Sequence, residues 1–458
     1  MENQKQDMGT GSIRKWMLEL AVPAVVAQII NLLYNIVDRI YLGHIPGIGG
    51  LALTGVGLFA PILMLITAFA MLAGAGGAPR AAIAMGEGNR EKAENIMGNC
   101  FAVLMILAVI LTIVFYRFCP DLIRLFGGSD ATLPYALEYA NIYICGSVFV
   151  LIVMGMNPFI TTQGFSKISM LTTVIGAVIN IVLDPILIFG LNMGVSGAAL
   201  ATVISQGVSC LWALRFLSGK RALLRLEREN LRVDPAIARK VVSLGASGFF
   251  MQGTNCLVQV VCNATLHTFG GDLYVGVMTV VNSVRSVLEL PVSGLNSGAQ
   301  PVLGFNYGAK QYGRVKEAIR FSTLCGTCYN VLAWLIVLRF PEPLMRVFTS
   351  DPALIEAGRE ALHIYFFGFF FMSFQFAGQS VFQSLGMARY AVFFSLLRKA
   401  IIVVPLTLLL PRLGLGTAGV FLAEPISNLL GGLACFTTMF FTVYRRLGTD
   451  PDRLTAGG

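Results

Sequence analysis

A constant offset runs through this chain. Leu122, Arg124, Phe126, Glu138, Tyr143 and Gly146 return 222 positions later as Leu344, Arg346, Phe348, Glu360, Tyr365 and Gly368. Gly164, Gly194, Gly197 and Ser205 return in the same register as Gly386, Gly416, Gly419 and Ser427. A spacing kept through loops and apolar stretches alike means two homologous halves, so whatever the first half folds into, the second folds into as well. In membrane proteins, duplicated halves commonly hold a site near the bilayer midplane and move against each other. Transport is the leading expectation.

Composition places the chain in a membrane. Only 12% of the 458 residues are charged and 56% are hydrophobic, whereas a soluble domain carries about a quarter charged residues. Apolar runs of about 20 residues, the length that crosses a bilayer, follow one another. They predict spans at roughly 15–42, 51–78, 94–116, 133–156, 168–190 and 195–217 in the first half, and 238–267, 274–302, 317–338, 354–380, 389–410 and 416–444 in the second. Six spans per half bring each repeat back to its starting side, so the repeats are parallel copies. The expected fold is all-α and integral to the membrane, with twelve transmembrane helices in two parallel six-helix bundles around a central cavity. The expected division is an N-terminal lobe over 1–219, a basic linker over 220–239, a C-terminal lobe over 240–446 and a tail over 447–458.

Basic residues gather in alternate loops: Lys5, Arg14 and Lys15; Arg80, Arg90 and Lys92; the linker from Lys220 to Lys240; Lys310 to Arg320; Arg445 and Arg446. Positive loops stay in the cytoplasm, which puts both termini there. The start of the chain lacks the short apolar core of a signal peptide. A bacterial plasma-membrane location is expected. The basic clusters are short and lack interleaved aromatics, so no nucleic-acid partner is expected. Nine cysteines lie mostly in apolar segments, and the Cys325–Cys328 pair reads as packing rather than a metal or redox site.

Polar residues inside the spans mark the chemistry. In the first span Gln28, Asn31, Asn35 and Asp38 share one helical face with Tyr34 beside them. An acid within a span costs at least about 2.5–3.5 kcal/mol on insertion scales, so it needs water or a partner. Asn180 and Asp184 stand one turn apart in the fifth span, and Thr202 lies two turns into the sixth. Asp38 and Asp184 fall at similar depth. Two acids, an amide and a hydroxyl there make an oxygen-lined pocket for a shared proton or a sodium ion; no other metal and no cofactor is expected. In the second repeat the polar stripe survives as Gln252, Asn255 and Gln259, but Asp38 becomes Cys262, and Asn180 and Asp184 become Ile402 and Leu406. The repeated stripe reads as cavity wall and the unrepeated acid pair as the coupling site. Arg285 and Glu289 are expected to pair one turn apart, with Glu289 and Glu424 each a candidate for the substrate path. Arg398 and Lys399 are expected to snorkel toward the cytoplasm.

These residues carry a resemblance. Pro23-Ala24-Val25, Leu33-Tyr34-Asn35-Ile36-Val37-Asp38 with Tyr41-Leu42-Gly43, Gly164-Phe165, Asn180 with Asp184-Pro185, and Gly194-Val195-Ser196-Gly197-Ala198-Ala199 with Ala201-Thr202 resemble the multidrug and toxic compound extrusion (MATE) transporters. The likeness runs from about Ile13 to Arg446 and is strongest to the bacterial MepA-like branch. It implies two six-helix lobes around a V-shaped cavity and export of small organic cations by a monomer, driven by a proton or sodium gradient. By position it assigns Asp38, Asn180, Asp184 and Thr202 to the cation network, and Asn31, Tyr34 and Asn157 to the cavity. An acid that some members carry in the seventh helix is missing between Lys240 and His267, which favours first-lobe coupling. The alternative within the same superfamily is a flippase for a lipid-linked precursor, disfavoured by the few basic residues in the spans. No Walker A, HExxH or paired DDxxD motif supports an enzyme.

Overall fold

The computed structural model describes residues 8–448. Lys5 and most of the expected tail, 449–458, lie outside them. Helices make up nearly all of the described chain. Ten segments are long and apolar enough to cross a membrane. One of them, Pro235–Gly308, is two helices joined at Gly271, whose φ of +66° breaks the helical path. The expected tenth span is also present but interrupted. Pro352–Tyr365 and Phe371–Ser384 are separate helices, with Gly368 at φ +64° between them. Counted this way, twelve helical passes stand among the described residues, as the repeat predicts. We number them one to twelve in chain order.

The described chain forms two compact units. Val22–Phe249 makes the first, and Met8–Ala21 with Phe250 onward makes the second. This differs from a cut at the linker. The start of the first helix, expected in 1–219, belongs to the second unit, and the chain from 240 to 249, expected in the C-terminal lobe, belongs to the first. The packing reason is one contact made twice. A Cβ on Gly76 would stand 2.0 Å from the Val241 carbonyl oxygen and 2.8 Å from the Gly245 nitrogen. A Cβ on Gly298, the residue 222 positions later, would stand 2.7 Å from the Met17 carbonyl oxygen and 2.7 Å from the Ala21 nitrogen. Small residues let helices approach this closely where lipid gives no hydrophobic drive to pack. Each repeat's second helix therefore receives the opening turns of the other repeat's first helix.

The basic linker is pinned to the first unit. Gln163, fully buried, accepts a hydrogen bond at Oε1 from the Leu224 amide at 2.8 Å and donates from Nε2 to the Phe159 carbonyl at 3.1 Å. Asn99 donates to the carbonyls of Arg232 and Asp234, both at 3.2 Å. Glu94 accepts from the Arg225 amide at 3.0 Å. In the second unit Arg314 holds the chain's start. Its guanidinium donates to the carbonyls of Gly11 and Met8 at 2.8 Å and Thr10 at 3.2 Å, while Asn306 donates to Met8 at 3.2 Å.

Candidate functional site

In the first unit the fifth helix, Ser166–Pro185, ends in a wide π turn over Ile186–Gly190. Pro185 has no amide hydrogen to continue the ladder, and π turns recur at functional sites. Just before it, Asp184 is fully buried and Asn180 is 1% exposed. Asn180 Nδ2 donates to Asp184 Oδ1 at 3.4 Å and to Thr202 Oγ1 at 3.3 Å. Thr202 donates onward to the Ala198 carbonyl at 3.0 Å. The first helix brings Asp38 near enough to Asp184 for the two carboxyl groups to interact electrostatically. Tyr34 lies near both acids and Tyr139 near Asp38. Tyr139 stacks on Tyr143 at 5.8 Å, and Phe59 packs edge-on against both rings.

The cluster is short of partners. Asp38 Oδ1, Asp184 Oδ2 and Asn180 Oδ1 are buried without a hydrogen bond. Unpartnered buried oxygens are rare and costly. Three of them in one place leave acceptor capacity that the described side chains do not fill.

The remaining expected cavity residues are placed unevenly. Gln28, Asn31 and Tyr34 are half-buried; Asn35 is exposed and donates to the Asn31 carbonyl at 2.6 Å. Asn157 donates to the Ser169 carbonyl at 3.2 Å and keeps its own buried oxygen unpartnered. In the second unit Asn255, Gln259 and Glu289 line a cavity of about 350 Å³, and Gln252 is half-buried away from its lining.

That cavity is held by the expected Arg285–Glu289 pair and by charges gathered on Glu424 that the sequence did not bring together. Arg285 is ion-paired with Glu289, donates to the Tyr365 hydroxyl at 2.7 Å and meets Glu424 at 2.8 Å. Glu424 also accepts from Arg398 at 2.9 Å and from Lys399 at 3.0 and 3.1 Å, and Arg398 reaches Asn428 at 3.0 Å. Arg398 and Lys399 are 8% and 4% exposed, so they are buried and paired rather than snorkelling. Both lie in the π turn Leu397–Val403, and their long side chains reach the same acid.

Residues 23–186 and 249–409 match the MatE family. The chain belongs to the MatE family. Members of this family are transporters, so this MatE protein is a multi-pass membrane transport protein and not an enzyme. It is 24% identical to the multidrug export protein MepA of Staphylococcus haemolyticus, over 97% of this chain and 96% of that one. It is 25% identical to an FAD transporter of Shewanella oneidensis (93% and 94% covered) and 28% identical to the probable multidrug resistance protein NorM of Thermotoga maritima (76% and 75%). Among solved structures, a multidrug resistance MATE family transporter in an outward-facing conformation superposes with a TM-score of 0.89 at 23% identity, over 98% of each chain. A MATE protein in a bent conformation gives 0.90 at 24%, over 98% of each chain. These structural likenesses carry the fold of the MatE protein, two helical lobes.

Proposed function

We propose that this MatE protein is a proton-coupled antiporter that exports small organic compounds, organic cations among them, from the bacterial cytoplasm across the plasma membrane, with both termini inside. The observation that carries the reading is the pair of half-buried Asp38 and fully buried Asp184, with Asn180 and Thr202 around it. Two carboxyl groups that close cannot both ionise cheaply in a low dielectric, so they compete for one proton. Loading that proton removes repulsion between the first and fifth helices. Pro23, which cannot donate to the helical ladder, gives the first helix a place to bend in response. The names of the relatives, multidrug export and multidrug resistance proteins, support small organic compounds as cargo.

One pH unit supplies about 1.4 kcal/mol per proton. Membrane potential supplies about 2.3 kcal/mol per charge per 100 mV, but an exchange of one proton for one monovalent cation moves no net charge and draws only on the pH gradient. A flippase for a pyrophosphate-linked lipid would need more positive charge than the second unit's cavity offers, where Glu289 and Glu424 face Arg285 and Lys399 on the wall, with Arg398 behind it. The test is dye efflux from inverted vesicles under an imposed pH gradient alone, then under a sodium gradient alone. The pH gradient should suffice. Efflux under sodium alone would replace the proton with sodium, and efflux under neither would remove the antiporter.

A further inference from the structure

The charged cluster around the second unit's cavity is unbalanced. On the wall Arg285 and Lys399 stand against Glu289 and Glu424, the other lining side chains are uncharged, and Arg398, behind the wall on Glu424, adds a third cation. Glu424 takes contacts from all three cations, so its charge is already shared out. A buried charge without a counterpart is expensive and is normally paired. One donor is also poorly met. Arg285 Nη2 has, among the described residues, only the Met372 thioether sulfur at 3.9 Å, a weak acceptor. Arg285 and Lys399 line the space directly, with the amides of Asn255, Gln259 and Asn282 beside them. A surplus of one positive charge, a planar guanidinium with a donor to spare and side-chain amides suit one small oxyanion.

We infer that this cavity is a binding subsite for a single carboxylate or phosphate group of an organic solute, so that the compounds handled include zwitterions and organic anions. The inference rests on the transport reading for the solute's fate but not for its binding. The acid cluster of the first unit and the cationic cavity of the second then have separate tasks, one for the driving ion and one for the solute.

The test uses two forms of one dye, a rhodamine with a free benzoate (a zwitterion at neutral pH) and its ethyl ester (a cation). Equilibrium binding to the full-length protein, purified in non-ionic detergent without added lipid, is read by fluorescence anisotropy. The wild type should bind the free acid more tightly than the ester by about tenfold, or about 1.4 kcal/mol. Lys399→Gln removes the surplus charge and should erase that preference. Glu289→Gln enlarges the surplus and should increase it. Should Lys399→Gln fail to fold, Glu289→Gln decides alone, because Glu289 is the more exposed acid and holds only Arg285. Equal binding of acid and ester by the wild type, or a preference that Glu289→Gln leaves unchanged, overturns the subsite. A protein that prefers the free acid yet moves neither dye in vesicles keeps the subsite and removes the export reading.

Discussion

Glu424 holds in the second repeat the position that Thr202 holds in the first. Each stands eight residues after the glycine that opens its helix, Gly194 or Gly416. Thr202 accepts from Asn180 in a cluster whose charges are two acids. Glu424 accepts from Arg398 and Lys399 in a cluster dominated by cations. One duplicated framework thus carries opposite polarity at matching places.

Glu424→Gln should cost the second unit much of its stability. The substitution keeps the shape but leaves Arg285, Arg398 and Lys399 without their common counter-charge. Removing one partner of a buried ion pair costs about 3–5 kcal/mol. A clear drop in the thermal unfolding midpoint of the detergent-purified protein is expected; an unchanged midpoint would mean the three cations are satisfied elsewhere.

Asp38→Asn and Asp184→Asn should each stop dye-dependent proton movement, to below about a tenth of the wild-type rate, while the protein still inserts. An amide cannot carry the shared proton, yet it fits the space and offers a donor to the unpartnered oxygens. A pH-sensitive dye trapped in proteoliposomes reads the flux. Wild-type coupling in either variant would take the pair out of the mechanism.

Gly76→Ala and Gly298→Ala should destabilise in parallel, each by about 1–3 kcal/mol, the usual cost of overpacking. In both, the added methyl would meet backbone atoms at 2.0 and 2.7 Å, respectively. Gly57→Ala, where nothing lies within 4 Å, should be neutral or stabilising. Thermal unfolding of the three variants side by side decides; a loss at Gly57 equal to the other two would refute the packing argument.

Arg314→Ala should free the start of the chain. It removes donors to the carbonyls of Met8, Thr10 and Gly11 at once. Limited proteolysis should then cut near Gly11 at least several-fold faster than in the wild type, with the rest of the pattern unchanged. Equal cutting rates would show that Asn306 and Trp16 suffice to hold the segment.

The fold was readable because its signals are long-range and redundant: a fixed offset, apolar runs and an even count of spans. The acid cluster was readable too, since Asp38 and Asp184 are costly in apolar helices and Asn180 lies one turn from Asp184. The cationic cavity was harder. Arg398 and Lys399 stand in the cytoplasmic half of their span, where long cationic side chains can reach outward, and nothing local in the sequence names Glu424, 25 and 26 residues on, as their partner. The docked linker also escaped, because Gln163 and Asn99 look like ordinary polar residues until Leu224 and Arg232 are found against them. The opening turns of the first and seventh helices were assigned to their own repeats for a related reason. A strip of apolar residues says that it is covered, not by whom. Gly76 and Gly298, which also stand 222 positions apart, mark the two contacts.

The exchange recorded at those two glycines bears on ancestry and on engineering. A protein half this length would have lacked the turns its own second helix needs, and could have completed itself only by trading them with a twin. Gene fusion would then have tied together a pair already interlocked. A chain severed in the linker should accordingly yield fragments that are unsound singly and sound when produced together.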